Sequence, residues 1–217
     1  MKTYLFACFL FIIGFLSVSC SGEQQHSEMH SGQMDEEMDH SGHSELAMES
    51  GEPTEESIYN AGSTWRKRDN REIQLSELRG EVQVVAMVYT HCEFACPRIL
   101  ADMQRVRQVL SDHARENTNF VIISIDPERD TPQRLTNFAE ENNLNKEYWT
   151  LLNGSQGDIL EIAALLGVRY KRISETDFTH SNMITVLNNE GEIVHQRKQL
   201  SDNQNDIIQS IERLLSS

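Results

Sequence analysis

Long apolar runs, positive charge and cysteine are all scarce in this 217-residue chain. No stretch supplies the roughly 20 consecutive apolar residues that a membrane-crossing helix needs, so no spanning segment is expected. Lysine and arginine number 19 against 34 aspartates and glutamates, for a net charge of −15. A nucleic-acid-binding chain would carry a basic stripe; none is visible, and no nucleic-acid partner is expected. Internal repeats are lacking as well. Cysteine occurs only as Cys8, Cys20, Cys92 and Cys96, so any thiol chemistry rests on very few atoms.

What is present begins with an export signal. "MKTYLFACFLFIIGFLSVSC" has one lysine, an apolar run from Tyr4 to Leu16, and small residues leading to Cys20. Residues 1–19 therefore read as a signal peptide. The ending "LSVSC" resembles a bacterial lipobox, in which Cys20 is lipidated and becomes the mature N-terminus; an ordinary secretory signal with an incidental cysteine is the alternative. A lipid would attach the protein to a membrane without spanning it, placing it in the cell envelope on the exported side. Cys8 leaves with the signal and Cys20 carries lipid. Cys92 and Cys96 remain, in a compartment where disulfides persist, as a disulfide, a dithiol or a ligand pair.

Residues 20–57 read as a tether. Eleven acidic residues fall between Glu23 and Glu56, with no lysine, arginine or aromatic among them. Such a stretch buries too little apolar surface to offset its ordering entropy and is expected to be disordered. The remaining domain is then only mildly acidic. Half of the chain's eight histidines and half of its eight methionines crowd into this segment: His26, Met29, His30, Met34, Met38, His40, His43 and Met48. Thioether and imidazole together suit copper, so weak multivalent copper capture is expected there, against the plainer reading of a solubilising linker.

Residues 58–217 alternate strand-like and helix-like blocks. "VQVVAMVY" (Val82 to Tyr89) and "NFVIISID" (Asn119 to Asp126) are near-continuous apolar runs, as in strands covered on both faces. Pro97 suits a first helical turn, and Ile99, Leu100, Met103, Val106, Val109 and Leu110 recur at helical spacing. "TPQRLTNFAEENN" opens on a Thr cap and a Pro. "YWTLLNG" reads as a short strand, and "SQGDILEIAALLG" as a helix stopped by Gly167. "MITVLNNEGEIVHQRK" gives a hairpin turning at "NNEG", and "DNQNDIIQSIERLLSS" a closing helix. The class is α/β around a central sheet.

On this reading Cys92 leaves a buried strand and Cys96 lies at the first helical turn. Unpaired N–H groups and the positive helix end stabilise a thiolate there. "YTHCEFACP", "IDPERDTP" (Ile125 to Pro132) and "THSNMITVLNNEGEI" with His180 resemble, in order and context, the three signatures of the Sco/SenC family. The resemblance runs from about Tyr59 to the C-terminus. It implies a thioredoxin-like fold, a central mixed β-sheet flanked by helices with a C-terminal β-hairpin and helix. It also implies one copper ion, as Cu(I) or Cu(II), held by Cys92, Cys96 and His180. Members deliver copper to the binuclear copper centre of respiratory oxidases, or reduce that centre's cysteines.

Two thiolates and an imidazole form a soft, low-coordinate set suited to either copper state. Structural zinc would close a four-ligand tetrahedron, and no fourth donor is evident. His91 precedes Cys92 but points apart on an extended segment, which makes it structural or a support behind a ligand; His113 and His195 read as surface residues. Asp126 and Asp130 bracket a turn, with Asp126 the candidate for orienting a ligand from behind. The leading expectation is a copper metallochaperone serving a copper-containing respiratory enzyme. The rival is a thiol–disulfide oxidoreductase in which Cys92 attacks and Cys96 resolves; peroxide reduction is a third. The wording "EFA" and the His/Met tail depart from the commoner oxidase-assembly pattern and leave the client open among oxidases, nitrous oxide reductase and other copper proteins.

Overall fold

The computed structural model describes residues 54–216. The signal peptide, Cys20 and the tether's His26, Met29, His30, Met34, Met38, His40, His43 and Met48 lie outside the described residues. In chain order the elements are β1 (Thr64–Lys67), β2 (Glu72–Gln74), β3 (Val82–Val88), α1 (Ala95–Val109), α2 (Asp112–Glu116), β4 (Thr118–Ser124) and α3 (Pro132–Glu141). There follow β5 (Trp149–Asn153), α4 (Gln156–Leu165), β6 (Tyr170–Arg172), β7 (Phe178–His180), β8 (Ile184–Leu187), β9 (Ile193–Arg197) and α5 (Asn205–Leu215).

Seven strands form one mixed sheet in the order β2-β1-β5-β4-β3-β8-β9. β3, β4 and β5 run parallel, with Val84 beside Phe120 and Phe120 beside Trp149. β8 joins β3 antiparallel and returns as the hairpin to β9. Helices flank the sheet, as expected of a thioredoxin-like fold. All seven residues of β3 are buried, which accounts for an apolar run interrupted only by Gln83: a central strand covered on both faces has no solvent side to alternate with.

Local chemistry sets the helix ends. Thr131 Oγ1 accepts from the Arg134 amide, with Pro132 in the first turn; Ser155 and Asp158 form a reciprocal capping box. α4 is followed by Gly167 at φ +65°, a left-handed turn that glycine enters without a Cβ penalty. At the hairpin turn, Gly191 has φ +82°, and a Cβ there would come within 2.6 Å of the Tyr59 ring.

Two pairings were not anticipated from the sequence. β1 and β2 form an antiparallel hairpin on the β5 edge, and β6 and β7 form a separate two-stranded ribbon. Both are short and mostly polar; they are fixed by single buried side chains, Trp65 and Ile73 in the first and Phe178 in the second. His180 accordingly ends a strand instead of lying in a loop.

Candidate metal centre

The site grows from the end of β3. Thr90 is fixed there from several directions. Its amide donates to Asp130 Oδ2 at 3.0 Å and its hydroxyl to Asp130 Oδ1 at 2.5 Å. Arg134 donates through Nε to the Thr90 hydroxyl at 3.0 Å and through Nη2 to its carbonyl at 3.2 Å. Ser124, at the end of β4, donates to Asp130 at 2.6 Å. Burial pushes the Asp130 carboxyl above its usual range, against the hydrogen bonds from Ser124 and Thr90. From this anchor the chain turns, Cys92 N–H donating to Tyr89 C=O at 3.2 Å.

α1 begins with Phe94 in the capping position and no side-chain cap. Its first turn therefore has amides to spare, and the Cys92 sulfur takes one of them, accepting from Cys96 N–H at 3.4 Å. A hydrogen bond from the Cys96 thiol is the largest influence on Cys92; partial burial opposes it, and the amides of Cys96, Phe94 and Ala95 reinforce it, bringing the Cys92 pKa down to about 4. Donating that bond, together with burial, drives Cys96 strongly upward. Cys92 is half-buried and Cys96 fully buried. The pair is thus a thiolate at the surface backed by a thiol inside.

His180 arrives from β7. Its Nε2 lies 3.6 Å from Cys96 Sγ, across 84 positions of sequence. Its Nδ1 is 3.2 Å from the Ser181 carbonyl; a carbonyl only accepts, so Nδ1 holds the proton and Nε2 keeps its lone pair toward the sulfurs. Tyr89 meets the imidazole edge-on, ring centres 5.9 Å apart, and its hydroxyl pKa is pushed up to about 12 chiefly by burial. One donor atom each from Cys92, Cys96 and His180 lies within 4.8 Å of the others.

That donor set fits a soft monovalent or divalent ion. Metal–sulfur and metal–nitrogen bonds of about 2.0–2.3 Å can bridge such separations, and no fourth His, Cys, Asp or Glu joins the group among the described residues.

The sequence-selected residues fare unequally. Cys92, Cys96 and His180 converge. Asp126 does not reach them: its buried carboxylate is taken by Arg129 and lies 3.8 Å from Arg172. Its carboxylate faces these two guanidiniums and lies within 4.8 Å of His91 and Asp130, behind the thiol loop and outside the donor set. Asp130 is the carboxylate that supports the thiol loop. His91 is exposed and turned toward Thr90 and Asp130, at 3.2 and 3.7 Å. His113 is exposed, whereas His195 is half-buried and paired with Asp206 at 3.1 Å. Tyr89, Thr90 and Arg134 were not singled out; the only hint was their closeness to the thiols and the capping Thr-Pro.

Residues 55–216 match the profile of the SCO1/SenC family. The chain belongs to that family. A SCO1 protein homolog of Bacillus subtilis is 30% identical over 136 residues, covering 60% of this chain and 69% of that protein. Among solved structures, Bradyrhizobium japonicum ScoI with copper bound superposes with a TM-score of 0.60 at 22% identity, over 70% of this chain and 97% of its own. BsSco, described with a disulfide switch and as one of the cytochrome c oxidase assembly proteins, gives 0.61 at 24% identity, over 73% and 94%. In this SCO1/SenC chain no helix among the described residues is long and apolar enough to cross a membrane.

Proposed function

We propose that this SCO1/SenC protein is an exported, lipid-anchored copper metallochaperone that loads a copper-containing respiratory enzyme, such as the binuclear centre of a cytochrome c oxidase. The observation that carries the reading is the convergence of two sulfurs and an imidazole nitrogen from distant parts of the chain within 4.8 Å. The names of its relatives support it: one neighbour is described with copper bound, another as an oxidase assembly protein.

Copper is cargo here. Cys92 is already a thiolate at neutral pH, Cys96 gives up its proton to become the second sulfur ligand, and His180 offers Nε2. With three protein donors and Cys92 half-exposed, an incoming ligand can add before one leaves, so the ion passes by exchange without being set free. The lipid on Cys20 would hold the carrier near membrane-bound clients, and the His/Met segment would gather copper close by.

His180→Ala should weaken Cu(II) binding to the full chain by on the order of a hundredfold, as loss of one of three ligands, and abolish sulfur-to-copper charge-transfer absorption or shift it. A variant that binds copper as tightly as its parent would remove the imidazole from the site.

The same thiol pair favours one second reading, disulfide reduction. The Cys92 thiolate would attack a client disulfide, forming a mixed disulfide and expelling a client thiolate. Cys96 would then lose its proton and attack Cys92, leaving the client as a dithiol and this pair as a disulfide. Rapid protein disulfide reduction by a chain that binds no copper would favour it.

A further inference from the structure

Around the thiol–imidazole centre, the surface has two features that folding does not explain. Phe94, between the two cysteines, is 88% exposed, more than any other large apolar side chain among the described residues. It borders a cleft of about 360 Å³ with Tyr89, His91, Glu93, Arg129 and the β6–β7 connection at Thr176 and Asp177. On the other side, His180 opens into a hollow of about 310 Å³ lined by Arg169, Tyr170 and Lys171. Arg169 is the one arginine among the described residues whose side chain has no ion pair, hydrogen bond or ring contact. Lys171 is exposed and makes no ion pair either. By contrast, neighbouring Arg172 is paired with Glu128 and Arg98 with Asp202.

A fully exposed aromatic costs hydration free energy, and single aromatic or arginine side chains typically dominate protein interfaces. Uncommitted cations at the His180 hollow, on a chain of net charge −15, mark a local reversal of sign on that side of the centre. We propose that this rim is the docking surface for the protein that exchanges copper with the site, with Phe94 seated in an apolar pocket of that partner and Arg169 and Lys171 facing its carboxylates. The inference rests on the copper reading for what is exchanged, but the footprint itself stands on exposure and charge. An anionic membrane is the less suitable occupant: a protein can set an apolar pocket at Phe94 and its carboxylates at Arg169 and Lys171, whereas a lipid surface would press headgroup charge against exposed Glu93, Glu175 and Asp177 as well.

Two labelled 12-residue peptides test this against the full copper-free chain: a Leu-Trp pair flanked by glutamates, and its counterpart with lysines for glutamates. The acidic net charge of the chain would favour the lysine peptide everywhere else. Fluorescence anisotropy at low salt should instead show the glutamate peptide binding on the order of tenfold more tightly. Arg169→Glu combined with Lys171→Glu should abolish that preference, and Phe94→Ser should weaken both peptides, each with unchanged circular dichroism. A parent that prefers the lysine peptide, or a double variant that keeps the parent's preference, would overturn the proposal. So would Phe94-dependent retention on phosphatidylglycerol vesicles. No metal enters the assay. A chain that shows the preference but binds no copper keeps the footprint and loses the metallochaperone reading; one that binds copper without the preference does the reverse.

Discussion

Cys92 and Cys96 differ less in identity than in who donates to whom. Cys96 N–H donates to the Cys92 sulfur and the neighbouring buried Cys96 thiol keeps its proton, so negative charge is stabilised on one sulfur by keeping the other protonated. With a pKa near 4, Cys92 stays ionised across the neutral range. An ordinary thiol, with a pKa of about 8.5, loses roughly a hundredfold in thiolate between pH 8 and pH 6. Alkylation of Cys92 by iodoacetamide in the reduced chain should therefore change by less than about twofold over that interval, and fall only as the pH drops through the region of 4. The sign also holds for stability. A thiol whose pKa is depressed on folding contributes stability that is fully present above its unfolded value and lost as the pH falls through its folded one. Cys96→Ala removes the thiol donor and should raise the Cys92 pKa, read as a steeper alkylation profile. A profile that follows an ordinary thiol in the parent chain would show that the pair is not polarised in this way.

The ribbon of β6 and β7 is the element on which convergence depends, since it alone brings His180 to the sulfurs. It pairs with no strand of the main sheet. What holds it is an aromatic cluster: Phe178 packs 5.3 Å from Tyr89 and 6.3 Å from Tyr170, ring centre to ring centre, with Arg172 5.1 Å over its face. Phe178→Ala should cost about 3 kcal/mol of stability and lower copper affinity by on the order of tenfold through loss of His180 placement, while Cys92 alkylation keeps its pH profile. Unchanged copper affinity would mean that the ribbon is held by something other than Phe178. The same element explains what the sequence left hidden. β3 and β4 announce themselves as near-continuous apolar runs, β5 as a short strand, α3 by its Thr131 cap and Pro132, and α4 by its stop at Gly167. "YKR" and "FTH" announce nothing, because one buried ring far from its partners decides their pairing. The thiols were legible from their place between a strand and a helix. His180 was legible only through the family resemblance, and the approach of Arg172 to Asp126 was hidden because that arginine lies in this ribbon.

Over the whole domain, the chain's entry and its chemistry sit at opposite ends of β3. Thr54 donates to Glu192 at 2.5 Å, Ser57 to the Glu190 carbonyl at 2.5 Å, and Ile58 N–H to Gly191 C=O at 3.1 Å. That turn adjoins the start of β3, where Gly80 N–H reaches Asn189 C=O at 3.0 Å. The thiols follow the strand's other end, about 23 Å away for seven residues. A carrier attached through its N-terminal side would thus enter the domain without crossing the rim formed by Phe94, Arg169 and Lys171. The attachment itself is the proposal to test. If Cys20 carries lipid, Cys20→Ala expressed in a bacterial host should move the protein from the washed membrane pellet to the soluble fraction. Copper stoichiometry at Cys92, Cys96 and His180 should be unaffected, because nothing at the start of β3 contributes a ligand. Retention of the variant in the membrane pellet would exclude Cys20 as the anchor.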